Sequence, residues 1–403
     1  MRILFVANRM PYPPYRGDKL KIFNLMGELI DKHEIHLLTI AENQQDLDSI
    51  QPLLQPLGNG SKIITRIDYI YRPIWISAFY TLLGVFTRKP FQIAFFQSNK
   101  FREKLKNLLD TQQYDAIHVQ HIRMAQYFEG IDKTNVILDL PDAFSMYWQR
   151  RKDKSRHILQ KFFAAVEFKR LYQFEQKMIP QFAKTLVCST VDQSFLMEST
   201  GVRVDLLENG VDVNQFYPRP EIEFVHGRIL FTGNMSYAPN IDALHYFIEE
   251  IWPSILQNFP GATFVIAGQK PGNWIQSLAS DKITVTGFVQ DLAKEYASAH
   301  VVISPLRIGA GTQNKVLEAL SMNIPVVTTH VGYEGLELPA NAGALLSMNA
   351  SEFANNTLRL LNDVPFRNET GKMGGELIRA KFSWEAIAKK LEAYLLNVQR
   401  GQG

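Results

Sequence analysis

The 403-residue chain is 46% hydrophobic and 21% charged, an ordinary globular composition that excludes a disordered protein and is long enough for two domains. Its net charge of +3 is too small to mark a nucleic-acid-binding protein. The charge is also uneven, since residues 1–208 carry 28 Lys and Arg against 22 Asp and Glu, and residues 209–403 carry 15 against 18. The single cysteine, Cys188, excludes an internal disulfide and fits a reducing compartment.

In chain order, short apolar runs predict buried parallel strands at 2–7, 34–40, 62–70, 115–120, 135–140, 184–188 and 203–207. The first of these reads as a strand, because its apolar run is too short for a signal-peptide core. Helical patterns lie between the strands at 17–32, 97–110 and 190–199. A second series follows, with strands at 228–232, 262–268, 283–286, 300–304, 325–328 and 343–346, and helices at 240–257, 289–298, 313–322 and 350–362. Alternating strands and helices imply parallel sheets covered on both faces, and two series imply two Rossmann-like domains. Tyr217-Pro218-Arg219-Pro220 reads as a linker. The tail, from about Lys381 to Arg400, reads as an amphipathic helix with apolar Trp384, Ile387, Leu391 and Leu395.

Two N-terminal stretches admit two readings each. Residues 73–87 are almost uncharged and flanked by Arg72, Arg88 and Lys89. At about 15 residues the stretch is too short to span a bilayer. It reads either as a core or domain-edge helix or as a segment that dips into a membrane surface. Residues 150–177 hold nine Lys and Arg interleaved with Phe162, Phe163, Val166 and Leu171. They read as one basic amphipathic helix, either a solvated face or a contact with anionic lipid.

The chemistry concentrates in Ser304-Pro305-Leu306-Arg307-Ile308-Gly309-Ala310-Gly311-Thr312-Gln313-Asn314-Lys315-Val316-Leu317-Glu318. A Gly-rich turn lets backbone N–H groups approach an anion, and Thr312 is placed to cap the helix that follows. Lys315 adds a point charge, and Arg307 a fork that can engage two phosphate oxygens. Glu318, one helical turn beyond Lys315, can accept hydrogen bonds from a ribose diol. Gly233 and Asn234 follow a predicted strand and are expected near the same ligand. Phe288, after Val285-Thr286-Gly287, either flanks a nucleotide base or ends a strand. Asn209-Gly210 is a turn pair whose expected role is structural.

In the first half, Gly17 and Asp18 open a helix after the first strand. His121 ends the strand 115–120 at its carboxyl end, where ligands of such sheets bind. Asp139 and Asp142 flank the next strand's end, and either holds an acceptor hydroxyl or caps a helix starting near Pro141. No Asp-x-Asp follows an apolar strand and no Cys/His cluster has ligand spacing, so no metal is expected.

The runs 206–218 and 304–320 together resemble the retaining, nucleotide-sugar-dependent glycosyltransferases of the GT4 family, most strongly at 205–218 and 301–328. The resemblance implies the α/β GT-B fold, with two Rossmann-like domains facing across a cleft and a C-terminal helix crossing back to the first. The implied domains are 1–205 for the acceptor, 206–380 for the nucleotide sugar, and 381–403 for the returning helix. Within the family the chain looks closest to bacterial sugar transferases of exopolysaccharide assembly. The implied activity moves a sugar from a nucleoside diphosphate to a glycan or lipid-linked acceptor with retention. No cofactor is implied, and no protein base, because the leaving phosphate oxygen can take the acceptor proton.

By the resemblance Glu318 holds the ribose, Lys315 the diphosphate with help from Arg307, and His121 contacts the donor sugar. Gly233, Asn234, Phe288, Gly309, Ala310, Gly311 and Thr312 complete the donor site. Gly17, Asp18 and Asp142 lie on the acceptor side. The chain departs from the family at Ala310, where most members have a glutamate facing the donor sugar. It departs again after Thr232, where many have an Arg and a Lys and this chain has Asn234, Tyr237 and Asn240. The expected location is the cytoplasm, on or off the inner face of the plasma membrane. A sugar-nucleotide epimerase of the same fold and a non-catalytic sugar-nucleotide-binding protein are the alternatives.

Overall fold

The computed structural model describes residues 1–14, 17–54, 64–84, 86–155, 157–309, 312–336, 338–339, 342–399 and 401; the side chains of Asp18 and Leu83 fall outside that description. It divides into two compact units, Met1–Glu208 with Ile387–Gly403, and Asn209–Ala386.

The first unit is built on seven strands: β1 (Arg2–Val6), β2 (Glu34–Ala41), β3 (Arg66–Tyr71), β4 (Ala116–Gln120), β5 (Val136–Leu140), β6 (Lys184–Val187) and β7 (Asp205–Leu206). They form one parallel sheet in the order β3-β2-β1-β4-β5-β6-β7. The second unit has β8 (Arg228–Thr232), β9 (Thr263–Ala267), β10 (Ile283–Gly287), β11 (Val301–Ser304), β12 (Val326–Thr329) and β13 (Ala344–Ser347), also parallel, in the order β10-β9-β8-β11-β12-β13. Continuous apolar runs become strands here because helices cover both faces. Ile3, Leu4, Phe5 and Val6 in β1 and Leu230 and Phe231 in β8 have no exposed surface. Each sheet reverses its winding once, between β1 and β4 and between β8 and β11. In doubly wound sheets the carboxyl ends at that reversal are where ligands bind.

Three local differences from the expected elements have physical reasons. The predicted helix 240–257 is an α-helix only to Tyr246, widens to a π-turn over Phe247–Ile251, and resumes at Trp252. Pro253 lacks the N–H that would bond residue 249, so the ladder must shift there. The predicted single helix 150–177 is two, Phe144–Lys154 and Ile158–Met178. Ser155 and His157 take extended backbone angles, and the Ser155 hydroxyl turns back to the Arg151 carbonyl at 2.7 Å. The stretch 73–87 holds the helix Ile74–Leu83, whose position is described below.

The last helix, Trp384–Gln399, buries Trp384, Ile387, Leu391 and Leu395. From Ile387 it belongs to the first unit, where Glu392 pairs with His33 at 2.9 Å and Lys32 at 3.2 Å, and Lys390 with Glu208 at 2.8 Å.

Candidate functional site

At the winding reversal of the second unit, two connections leave the carboxyl ends of neighbouring strands. One is the turn 233–237 after β8. The other leaves β11 at Pro305 and leads to the helix Asn314–Ser321. The first turn is tightly built. Gly233 has φ +153° and donates to the Ala267 carbonyl at 3.1 Å. A Cβ on Gly268, also at φ +153°, would lie 1.7 Å from the Gly233 carbonyl oxygen, so only glycine lets these backbones meet.

Lys315 links the two connections. Its side chain is buried, and Nζ donates to Asn240 Oδ1 at 2.8 Å. Asn240 Nδ2 in turn donates to the Asn234 carbonyl at 2.9 Å. The ammonium also lies 4.4 Å from the centre of the Phe231 ring. Burial pushes its pKa down to about 7, against the pull of the Glu318 charge. An ammonium whose hydrogen-bond partner is a neutral amide is held ready for an anion.

Glu318 sits one turn along the same helix. Its Oε2 accepts from the Tyr296 hydroxyl at 2.8 Å, and Tyr296, fully buried, pairs with the Thr232 hydroxyl at 2.7 Å. Since Tyr296 donates to Glu318, Thr232 donates to Tyr296. Burial raises the Glu318 pKa, while the Tyr296 bond and Lys315 hold it back. The chain Thr232–Tyr296–Glu318 fixes one carboxylate oxygen and leaves Oε1 as the second acceptor. No sequence motif marks Tyr296 or Thr232, because the bond joins residues on three separate elements.

Arg307 differs from expectation. Its fork, assigned to two phosphate oxygens, grips Asp242, Nε to Oδ2 at 3.0 Å and Nη2 to Oδ1 at 2.8 Å. Glu250 lies 3.6 Å away and the Tyr246 ring 4.7 Å beneath. Its bidentate face is therefore engaged by a carboxylate. Thr312 is buried, and Gln313 occupies the capping position, with no side-chain cap bond of its own. The Thr312 carbonyl accepts from Asn209 Nδ2 at 3.3 Å, and the same amide lies 3.3 Å from Asn314 Oδ1. Asn209 thereby ties down the end of that connection. Gly309 has φ +156°, and Phe288, directly after β10, is 63% exposed. Ala310 and Gly311 lie outside the described residues.

In the first unit, His121 follows β4 at the winding reversal. It is buried, has a left-handed backbone (φ +80°), and donates its N–H to the Asp139 carbonyl at 2.8 Å. Its ring stands edge-on to Phe144 at 4.9 Å, and Nδ1 receives the Arg123 N–H at 3.4 Å. Asp139 is not an acceptor-binding or capping group. It is buried between Lys21 Nζ at 2.8 Å and His118 Nε2 at 3.1 Å, and Lys21 also donates to the Leu207 carbonyl at 2.9 Å. Burial pushes the Asp139 carboxyl up, but Lys21 and His118 outweigh it and hold the pKa low. Asp142 is half-buried and stands just before the next helix. The helix starts at Phe144, and the Ala143 N–H goes to Asp192 at 2.9 Å. Gly17 is exposed at the start of the helix Gly17–Leu29, and the Asp18 side chain lies outside the description.

Among the described residues no group of three or more His, Cys, Asp or Glu is arranged to hold a metal ion, and no helix is long and apolar enough to cross a membrane.

Residues 226–363 match the family model described as Glycosyl transferases group 1. Over its whole length the structure is similar to sucrose-phosphate synthase from Thermosynechococcus elongatus, with TM-score 0.74, 16% identity, and 99% of each chain covered. It is also similar to HepE of Anabaena in complex with UDP and glucose, with TM-score 0.69, 13% identity, and 98% of this chain and 100% of that one covered. Together with the sheet order, the likeness to these solved structures shows that the chain has the GT-B fold. A curated relative is an uncharacterized 44.6 kDa protein in the cps region of Klebsiella pneumoniae, 22% identical over 83% of this chain and 84% of that protein.

Proposed function

We propose that the protein transfers a sugar from a nucleoside diphosphate to a hydroxyl of a glycan or lipid-linked acceptor, with retention at the anomeric carbon. The observation that carries this is the pairing, on one helix, of a buried lysine bonded to an amide and a carboxylate fixed by Tyr296. A diphosphate supplies the anion that Lys315 is placed to meet, and a ribose diol supplies donors for Glu318.

In this reading the bond between the anomeric carbon and the diphosphate oxygen breaks as the acceptor oxygen bonds that carbon. The acceptor proton passes to the departing phosphate oxygen, so no side chain acts as base. Lys315 meets the charge that grows on the leaving diphosphate, together with backbone N–H groups of the connection after β11. No divalent cation or other cofactor is required. The first unit takes the acceptor, with His121 and Asp142 after its neighbouring strands β4 and β5. The Klebsiella relative's cps region supports a role in cell-surface polysaccharide, and the UDP-glucose complex of HepE makes uridine the first base to test.

The test is thermal unfolding with UDP-, GDP-, ADP- and dTDP-sugars, on the wild type and Glu318→Ala. A ligand that binds only the folded state raises the melting temperature. A rise with one base, lost in the variant, is expected. No rise with any of the four overturns the donor site.

A further inference from the structure

The helix Ile74–Leu83 is turned inside out. Its solvent face carries Ile74 (64% exposed), Trp75 (69%), Phe79 (57%) and Leu82 (63%), with Ala78 between them, whereas the polar Ser77 is fully buried. Phe86, just beyond, is 86% exposed. The same exposure recurs at the start of the helix Ile158–Met178, at Ile158 (82%), Leu159 (81%) and Phe162 (71%).

These two apolar edges are neighbours. Phe163 stacks on Phe91 at 5.2 Å, and Arg170 donates to the carbonyls of Gly84 at 3.0 Å and Lys89 at 3.1 Å. Glu167 accepts the N–H groups of Phe91 and Gln92 at 2.8 and 2.9 Å. Gly84 and residues 89–92 are thus clamped to the helix whose first turn is bare, which brings the two exposed stretches onto adjoining elements. Cations flank both exposed stretches along the chain. Arg88 and Lys89 follow the first helix, and Arg151, Lys152 and Lys154 precede Ile158. Lys161 stands between Leu159 and Phe162. Residues 144–163 hold six Lys and Arg against one acid, Asp153.

We propose that these two edges dock the first unit on an anionic lipid surface, Trp75, Phe79, Leu82, Ile158, Leu159 and Phe162 entering the acyl boundary and the flanking cations meeting lipid phosphates. The charge pattern selects this occupant. Protein interfaces are depleted of lysine at and around their apolar centre. A bilayer with anionic headgroups gathers Lys and Arg beside inserted aromatic side chains. Ten residues of helix, about 15 Å, lie in the interface plane and do not span it. Trp75, amphipathic and exposed, is the type of side chain that settles at headgroup level. The proposal stands apart from the donor site, since it concerns neither Lys315 nor Glu318.

The experiment is sedimentation of the full-length protein with vesicles of phosphatidylcholine alone and of phosphatidylcholine with phosphatidylglycerol in equal parts. It is repeated on Trp75→Ser/Phe79→Ser/Leu82→Ser and on Lys154→Glu/Lys161→Glu. All five positions are at the surface, and an unchanged melting temperature certifies each variant's fold. Expected are binding to the phosphatidylglycerol vesicles at least tenfold tighter than to phosphatidylcholine, and a tenfold or greater loss in each variant. A blue shift of tryptophan emission on binding, absent in Trp75→Phe, is also expected. Failure to bind either vesicle overturns the proposal, as does wild-type binding by the apolar triple variant. A dimer that the triple variant converts to monomer, with no vesicle binding, overturns it in favour of a second copy as the occupant.

Discussion

Lys315 Nζ and Asn240 Oδ1 are 2.8 Å apart, and that bond is where the connections after β8 and β11 become one structure. Through its other amide atom Asn240 holds the Asn234 carbonyl, so the lysine is anchored at the turn that follows Gly233. Burial in this position disfavours the charged lysine until an anion arrives. Lys315→Met should therefore weaken nucleoside-diphosphate binding by about a hundredfold, in the range of a lost charge-assisted contact. At pH 6, where the wild-type lysine is charged, the melting temperature of the variant should be unchanged or higher by a few degrees, because a buried charge has been removed. Calorimetric titration with UDP and a melting curve suffice. A variant that binds normally, or that melts far below the wild type, would remove Lys315 from this role.

The same lysine gives a pH signature. Its pKa of about 7 lies far below the ordinary lysine value. In the unliganded protein the cation is largely present below pH 7 and lost above it, so ligand affinity should fall as pH rises through that value. Between pH 6.5 and 8.5 the UDP dissociation constant should rise on the order of tenfold. The sign for stability is opposite. Between about pH 7 and the unfolded lysine's pKa the unfolded chain binds the extra proton, so this group makes the folded protein more stable as pH rises. A pH dependence of affinity that persists unaltered in Lys315→Met would assign it to another group.

Tyr296 should act on the nucleotide through Glu318. Tyr296→Phe removes the donor that fixes Oε2 but keeps the ring in the core, where it packs edge-on to Phe216. Affinity for UDP should fall by roughly threefold to tenfold, less than in Glu318→Ala, as expected for one hydrogen bond to a charged group. The discriminating ligand is 2′-deoxy-UDP. Wild type should prefer UDP, and Glu318→Ala should not. An undiminished preference for UDP in Glu318→Ala would place the ribose contact elsewhere.

The sheets were legible because parallel strands buried on both faces must be apolar throughout, and every predicted run in the second half coincides with a strand to within a residue or two. The Lys315–Glu318 spacing was legible because one helical turn fixes it. What sequence could not carry were pairings across large separations: Arg307 with Asp242, Lys315 with Asn240, Tyr296 with Glu318, and Lys21 with Asp139. Arg307 reads as a phosphate fork until Asp242, 65 positions earlier, is folded against it. Asp139 and Asp142 look alike in sequence, yet one is sealed in the sheet and the other stands at its end. The interruption at Ser155 was likewise hidden, since the basic and aromatic residues on either side keep helical character across it.

The ion pair Lys21–Asp139 yields the last prediction, one of stability. Both side chains are almost wholly buried, 2.8 Å apart, with His118 on the second carboxylate oxygen and the Leu207 carbonyl on the lysine. Removing one partner leaves the other charged and unsatisfied, so Asp139→Ala should lower stability by about 3–5 kcal/mol. A joint replacement, Lys21→Met with Asp139→Leu, should recover a good part of that loss. Asp139 has a depressed pKa in the folded protein, so its contribution is present above the unfolded value near 4 and is lost as pH falls through the folded one. Denaturant titrations at pH 7 and at pH 3.5 measure both effects. The wild-type advantage over Asp139→Ala should be smaller at the lower pH, and UDP affinity at pH 7 should not change while the variant remains folded. An advantage equal at the two pH values would mean that the loss comes from packing alone and not from the pair.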